Sequence, residues 1–223
     1  MEILFEDADL LIINKPSGLQ VERDKWGYAS VEENAEKYLL EKQKKIYVGI
    51  VHRIDRPVSG VLLLAKKKSV LLKLNDQFRE KQVKKTYYGI VSGKPGNKTG
   101  KLFHWIKRDA ENKLALVSTK KSTGAFYCEL NYEIVSEKEN KILLRLTPVT
   151  GKFHQIRAQL SYIGCPIVGD KQYKSTETYK ENAICLHAYS LEFLHPVTKE
   201  LMKIECEMPG DKAWGLFHVE KKK

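Results

Sequence analysis

Short apolar runs broken by turn residues set the pattern of this chain. Ile3–Glu6 and Leu10–Asn14 predict two strands across an Asp-Ala-Asp turn, after which Lys15-Pro-Ser-Gly breaks the run. Ser30 with Glu33 three residues on is a capping-box pattern, predicting a helix through Tyr38-Leu39-Leu40 into a lysine-rich exit. Val48–Val51 and Gly60–Leu64 predict buried strands on either side of His52–Ser59. Ser69 is placed to cap a second helix, with Leu71, Leu72, Leu74 and Phe78 on its apolar side. Thr86–Val91, Leu102–Ile106, Leu114–Val117, Ala125–Val135 and Lys141–Pro148 follow as strands at hairpin spacing. Ile156, Leu160 and Ile163 give His154–Ile163 a helical period that stops at Gly164. Leu186–Phe193 and Leu201–Glu207 predict two last strands before a short tail. Strands outnumber helices, which predicts an α+β fold: a mixed, mostly antiparallel β-sheet core with flanking helices.

The chain has 223 residues, 42% of them apolar and 30% charged, so it can bury a core without disulfide or metal staples. Collagen-like, low-complexity and disordered classes are excluded. The longest apolar stretches, Leu10–Ile13 and Val61–Ala65, are far shorter than the ~18 residues of a membrane helix. The acidic start, Met1-Glu-Ile-Leu-Phe-Glu-Asp, lacks the basic-then-apolar order of a secretory signal. The expectation is a cytoplasmic protein with no membrane partner.

Charge adds the first functional hint. Lys and Arg number 39 against 28 Asp and Glu, a formal net charge of +11, which favours polyanions such as nucleic acid. Only seven of those cations are arginine, so the arginines are candidates for sites that need a planar, bidentate fork. Cys128, Cys165, Cys185 and Cys206 form no CxxC pair, and the histidines form no HxxxH or HExxH pattern. The expectation is reduced thiols and no metal.

His52-Arg-Ile-Asp-Arg-Pro-Val-Ser-Gly is the chemically richest segment. Two guanidinium groups flank one carboxylate between apolar strands, with Pro57 and Gly60 constraining the backbone. Neighbouring cations favour the ionised form of Asp55, and a fixed carboxylate serves as nucleophile or base. The same residues also suit a surface loop with local ion pairs. Two further blocks share the segment's character: Lys85-Thr-Tyr-Tyr-Gly-Ile-Val and Leu146-Thr-Pro-Val-Thr-Gly-Lys-Phe-His-Gln-Ile-Arg.

Taken together, these blocks resemble the RluA family of pseudouridine synthases. Asp9-Leu-Leu-Ile-Ile-Asn-Lys-Pro-Ser-Gly-Leu is similar to the family's opening strand and NKPxG turn, and His52–Gly60 to its HRLDxxTSG signature. Lys85-Thr-Tyr87 resembles the KxY block, and Thr150–Arg157 the TGRxHQIR block. Cys165–Asp170 through Tyr173, and Leu186-His-Ala, resemble the closing motifs, so the blocks run in family order over nearly the whole chain. The resemblance implies one catalytic domain over residues 1–223, with no small S4-type RNA-binding domain ahead of a strand that begins at Ile3.

The resemblance also implies roles. Asp55 is the catalytic carboxylate, Tyr87 the tyrosine that packs on the uracil, and Arg157 the basic partner that salt-bridges Asp55. Arg53 fills the space left when the uridine leaves its stack, and Ile156 lines the base pocket. Arg56, Lys85, Lys152, His154 and Gln155 are expected RNA-binding residues. Lysine clusters at Lys42–Lys45, Lys66–Lys68, Lys81–Lys85, Lys120–Lys121 and Lys221–Lys223 add phosphate contacts or simply solvated faces. The implied reaction turns a uridine of structured RNA, ribosomal or transfer, into its C5 glycoside, with no cofactor and with a monomer acting. Ile54, Val58, Lys152, Gln159 and Lys174 depart from the residues usual at their places. Lys152 alters chemistry, since an ammonium is a point charge where Arg would make a fork. A catalytically silent RNA-binding relative is the alternative function; a hydrolase of free nucleosides fits the +11 charge poorly.

Overall fold

Strands buried on both faces account for the two unbroken apolar runs. The computed structural model describes residues 1–217; His218 and the Lys221–Lys223 cluster lie outside the described residues. Its elements are β1 (Glu2–Glu6), β2 (Leu10–Lys15), α1 (Val31–Lys42), β3 (Gly49–Ile50), β4 (Ser59–Ala65), α2 (Lys68–Arg79), β5 (Lys84–Ser92), β6 (Thr99–Asp109), β7 (Leu114–Ser118), β8 (Phe126–Lys138), β9 (Lys141–Pro148), α3 (Gln155–Tyr162), a 3-10 turn at Lys171–Tyr173, β10 (Leu186–Leu194), β11 (Leu201–Glu205) and α4 (Lys212–Gly215). This is the expected α+β fold, with four helices among mostly antiparallel strands. Among the described residues no helix is long and apolar enough to cross a membrane.

The described chain falls into two compact units, one of Met1–Lys85 with Ala188–Glu207, the other of Thr86–His187 with the segment from Met208 on. In the first unit the strand order is β1-β2-β4-β10, with β3 added to β4 and β11 to β10. β2 and β4 pair antiparallel with Leu11 opposite Leu64 and Ile13 opposite Leu62. Leu10, Ile12, Val61, Leu63 and Ala65 pack with Val70 and Leu74 of α2, while Leu11, Ile13, Leu62 and Leu64 are just as buried on the opposite face. At one edge His195 Nε2 meets Asp7 Oδ2 at 2.9 Å, while His195 Nδ1 accepts the backbone N–H groups of Val197 and Thr198. That leaves the imidazole proton on Nε2, donated to Asp7.

The second unit runs β5-β9-β8-β6-β7, and each of these pairings is antiparallel. Its inner face carries Ile106, Ala115 and Cys128, which pack with Ala158 of α3 and with Tyr173.

Local signals held at most helix ends. Ser30 caps α1 in a full capping box with Glu33. At the end of α3, Gly164 adopts φ +76°, its N–H meets the Ser161 carbonyl at 3.0 Å and the Cys165 N–H meets Leu160 at 2.9 Å. This six-residue Schellman closure requires the left-handed backbone that glycine supplies. Helix α2 is the correction. It begins at Lys68 with Lys67 as N-cap and no side-chain cap, so Ser69 lies inside it. Leu72 is 57% exposed, because the buried stripe runs through Val70, Leu74 and Gln77 instead. Gln77 displaces Leu72 by spanning to strand β10: its amide donates to Leu194 O at 2.8 Å and accepts Leu194 N–H at 3.0 Å.

Candidate active site

The Asp55 segment is a loop, and the structure shows how the first unit pins it. Asp55 is half-buried, with its carbonyl accepting Val58 N–H at 2.9 Å to close a turn over Arg56-Pro57. The Lys15–Gly18 turn then braces that loop at several points. Gly18 N–H donates to Arg56 O at 2.8 Å, and Arg56 Nε donates back to Gly18 O at 2.9 Å. Lys15 has no exposed surface, and its Nζ donates to the carbonyls of Pro16, Leu19 and Arg56 at 2.8, 2.7 and 3.2 Å. Burial pulls that ammonium down to about 7, the nearby Asp55 charge pulling it up again and Arg56 pushing it down. Three carbonyl acceptors meet the three donors of a protonated lysine, so the turn is built around an ammonium.

His52 anchors the other end of the loop. Its Nε2 accepts Leu63 N–H from β4 at 3.1 Å, and its ring stacks on Phe78 with centroids 5.0 Å apart. An accepting Nε2 leaves the ring proton on Nδ1. Burial, with Lys85 adding a repelling charge, holds the ring down to about 3, so it is neutral at physiological pH. At the loop's exit Gly60 has φ +114°, and a Cβ there would lie 2.2 Å from the Ala188 carbonyl oxygen. Only glycine fits. Of the arginines, Arg53 is exposed and paired with Glu22 at 2.7 Å, while the Arg56 guanidinium lies 5.5 Å from the Tyr28 ring. Lys85, at the end of this unit, is desolvated, which lowers its pKa.

The second unit gathers the other candidates. Tyr87 is half-buried on β5, in register with Leu146 of β9. The Thr150–His154 loop is held by Gln155, whose Oε1 accepts the Thr150 hydroxyl at 2.8 Å and Lys152 N–H at 3.0 Å, and whose amide donates to Glu129 O at 3.1 Å. Gln155 is buried and engaged by this loop. His154 takes a left-handed backbone, φ 50°, as the N-cap of α3, stacks on Phe153 and meets the Tyr173 hydroxyl through Nδ1 at 3.0 Å. The Tyr173 oxygen also accepts Ala115 N–H at 2.8 Å, which ties this pair to β7. Lys152 is exposed with Nζ 4.8 Å from the Phe126 ring, and Ile156 is buried at the start of α3.

Arg157 is 4% exposed, and its guanidinium grips Asp170 in a fork: Nε to Oδ2 at 2.7 Å and Nη2 to Oδ1 at 2.8 Å. The Gln172 side-chain Oε1 accepts a further Nη2 bond at 2.8 Å, and the Tyr173 ring lies 4.9 Å from the guanidinium carbon. A planar, buried, bidentate cation is the role only arginine fills. Sequence reasoning did not name Asp170 or Lys15 as site residues, though both lie within blocks that carried the resemblance.

Three comparisons bear on this arrangement. The sequence pattern of the family described as RNA pseudouridylate synthase matches residues 9–162, a span that includes Asp55, Tyr87 and Arg157. Ribosomal large subunit pseudouridine synthase C of Vibrio vulnificus (strain CMCP6) is 33% identical over 213 residues, covering 92% of this chain and 65% of that protein. The protein of the same name from Escherichia coli (strain K12) is 36% identical over 220 residues, with 92% and 66% covered. The chain thus spans just under two thirds of the length of these two relatives. Among solved structures, Human RNA Pseudouridylate Synthase Domain Containing 4 superposes with a TM-score of 0.78 at 25% identity, covering 94% of this chain and 89% of that one. With the family pattern matched from residue 9 to residue 162, and the same fold in a solved relative, this chain belongs to the RNA pseudouridylate synthase family.

Proposed function

We propose that this chain isomerises a specific uridine of structured RNA, in large-subunit ribosomal RNA or transfer RNA, to pseudouridine. The observation that carries this reading is the family match over residues 9–162, supported by the names of the curated relatives. The net charge of +11 supports RNA as the partner.

The reaction breaks the N1–C1′ bond, turns the uracil over, forms C5–C1′ and moves the C5 proton off the ring to leave N1 protonated. Atoms and electrons balance without a redox partner. Asp55 faces an oxocarbenium-like C1′ and stabilises it as an anion, either by attack at C1′ or by removing the C2′ proton. Tyr87 packs on the detached uracil so that it is retained, and takes part in proton transfer at C5. Arg157 serves as the basic partner that the family pattern assigns to the carboxylate. Its fork to Asp170 fixes the guanidinium plane. Extrusion of the nucleotide from its stack costs a few kcal/mol, which Arg53 offsets in part by entering the vacated space. Arg56, Lys85, Lys152 and His154 contact phosphates, Gln155 acts by holding the loop that carries Lys152, and Ile156 lines the base pocket.

Lys15 and His52 position the carboxylate. Both lock the loop from which Asp55 projects, one through carbonyl oxygens and the other through a β4 amide. Such fixing is what keeps a reactive group within a fraction of an ångström of its productive place.

The test is carbodiimide mapping of total RNA from cells with and without the gene. A pseudouridine stop that vanishes on deletion, and returns with the wild-type chain, is the expected result. An unchanged set of stops, with the protein still bound to RNA, favours the catalytically silent RNA-binding alternative.

A further inference from the structure

The outer face of the β7-β6-β8 ribbon exposes large side chains among the described residues, and its composition is unusual for a solvent-facing sheet. Strand register puts Phe103, Trp105 and Lys107 of β6 on one side with Tyr127 of β8 and Leu116 of β7, since Trp105 lies opposite Tyr127 and Lys107 opposite Leu116. Phe103, Leu116 and Tyr127 are 50%, 51% and 44% exposed. The rings form a contiguous cluster: Phe103 lies near-parallel to Tyr127, centroids 6.4 Å apart, and Trp105 meets Tyr127 edge-on at 5.8 Å. Lys121 reaches over from the following loop, its Nζ 5.4 Å from the Trp105 ring centroid.

Exposed cations edge this platform. Among the described residues Lys101, Lys107, Lys120 and Lys121 are exposed and form no ion pair. Glu129, opposite Phe103, is the nearest acid in register on this face. Clustered exposed apolar side chains rimmed by polar residues mark interaction sites. A protein interface depletes lysine at its core, whereas a ring platform edged with unpaired ammonium groups matches a polyanion whose bases are flat and unpaired.

We propose that this face, opposite the one that carries Tyr87, binds unpaired nucleotides of the RNA away from the target uridine, their bases stacking on Phe103, Trp105 and Tyr127 and their phosphates neutralised by Lys101, Lys107, Lys120 and Lys121. Exposed sheet faces with adjacent aromatics bind single strands in this manner. The platform is separate from the residues assigned to the chemistry, and it gives the enzyme a second grip on the RNA, on single-stranded sequence away from its target. The proposal rests on RNA being the substrate.

The experiment titrates the full chain with a single-stranded RNA of about ten nucleotides, a length within the usual site size, and with a fully paired RNA duplex, following tryptophan emission. Base stacking quenches Trp105, so quenching by the single strand is expected in the wild type and lost in Trp105→Phe, which keeps Trp26 and Trp214. The double variant Phe103→Ala, Tyr127→Ala changes exposed side chains and is expected to bind the single strand about ten-fold more weakly or worse, with duplex affinity unchanged. Equal affinity in the double variant together with no Trp105-dependent quenching overturns the proposal. So does sedimentation in which these substitutions abolish self-association of the RNA-free chain, because a second copy is then the occupant. Pseudouridine formation measured on the same samples separates the two readings. Turnover without any platform effect sinks this inference alone, while platform binding without turnover in the wild type sinks the enzymatic reading and leaves the platform standing.

Discussion

His52 and Lys15 act on Asp55's loop through atoms that no sequence pattern displays. The HRID segment was legible because its chemistry is concentrated in consecutive residues, and Asp55 stood out as a carboxylate between two arginines. Lys15 was legible only as part of a turn motif. Its partner Arg56 lies 41 residues away, and a buried ammonium bonded to backbone oxygens is a tertiary arrangement. His52 carries a direct test. Its folded pKa is held down to about 3, against about 6.5 in an unfolded chain. Between those values the unfolded state binds more protons, so stability is fully present above pH 6.5 and is lost as pH falls toward 3. The imidazole nitrogen shifts of His52 in NMR spectra are therefore expected to show the Nδ1-protonated neutral ring unchanged from pH 7 to pH 5. A ring titrating near 6.5 contradicts the buried acceptor role.

Elements were legible where local physics decides them. The α1 capping box and the Gly164 stop follow from a few adjacent side chains, and both appear in the structure as read. Leu72 was misplaced because α2 turns its stripe toward Val70 and Leu74 and accepts a glutamine, Gln77, on the buried side. A side chain that bonds a strand backbone is invisible to apolar counting. Helix α4 was missed altogether. It is four residues long, and it is fixed by Asp211 capping Ala213 N–H and by the burial of Trp214. At this scale the Arg157–Asp170 fork joins α3 to the segment leading into the 3-10 turn, with both groups almost fully buried. Removing Asp170 takes both fork bonds from a buried guanidinium, so Asp170→Ala is expected to lower unfolding free energy by about 3–5 kcal/mol. Urea denaturation measures it, and a loss below about 1 kcal/mol would mean that the fork behaves as a surface ion pair.

For the molecule as a whole, the α+β class and the family were readable because their signals recur along the chain: strand runs at hairpin spacing, and motif blocks in fixed order. The division into two units was not, since no Pro- or Gly-rich linker marks it; the chain leaves the first unit within β5 and returns within β10. The lysine surplus gives a prediction that belongs to the entire surface. If about four phosphates of a single strand are neutralised, affinity falls with a logarithmic salt slope of about −3, or about fifty-fold between about 50 and about 200 mM. Filter binding at several salt concentrations checks this, and a flat profile removes the electrostatic account of RNA recognition.

The most direct measurement concerns one carboxylate. Large-subunit ribosomal RNA and transfer RNA transcribed with tritium at uridine C5 release that label to water when C5–C1′ forms. The wild-type chain is expected to release tritium, while Asp55→Asn binds the same RNA with similar affinity and releases none above background. Sustained release by Asp55→Asn contradicts the assignment of Asp55 as the group that drives the isomerisation.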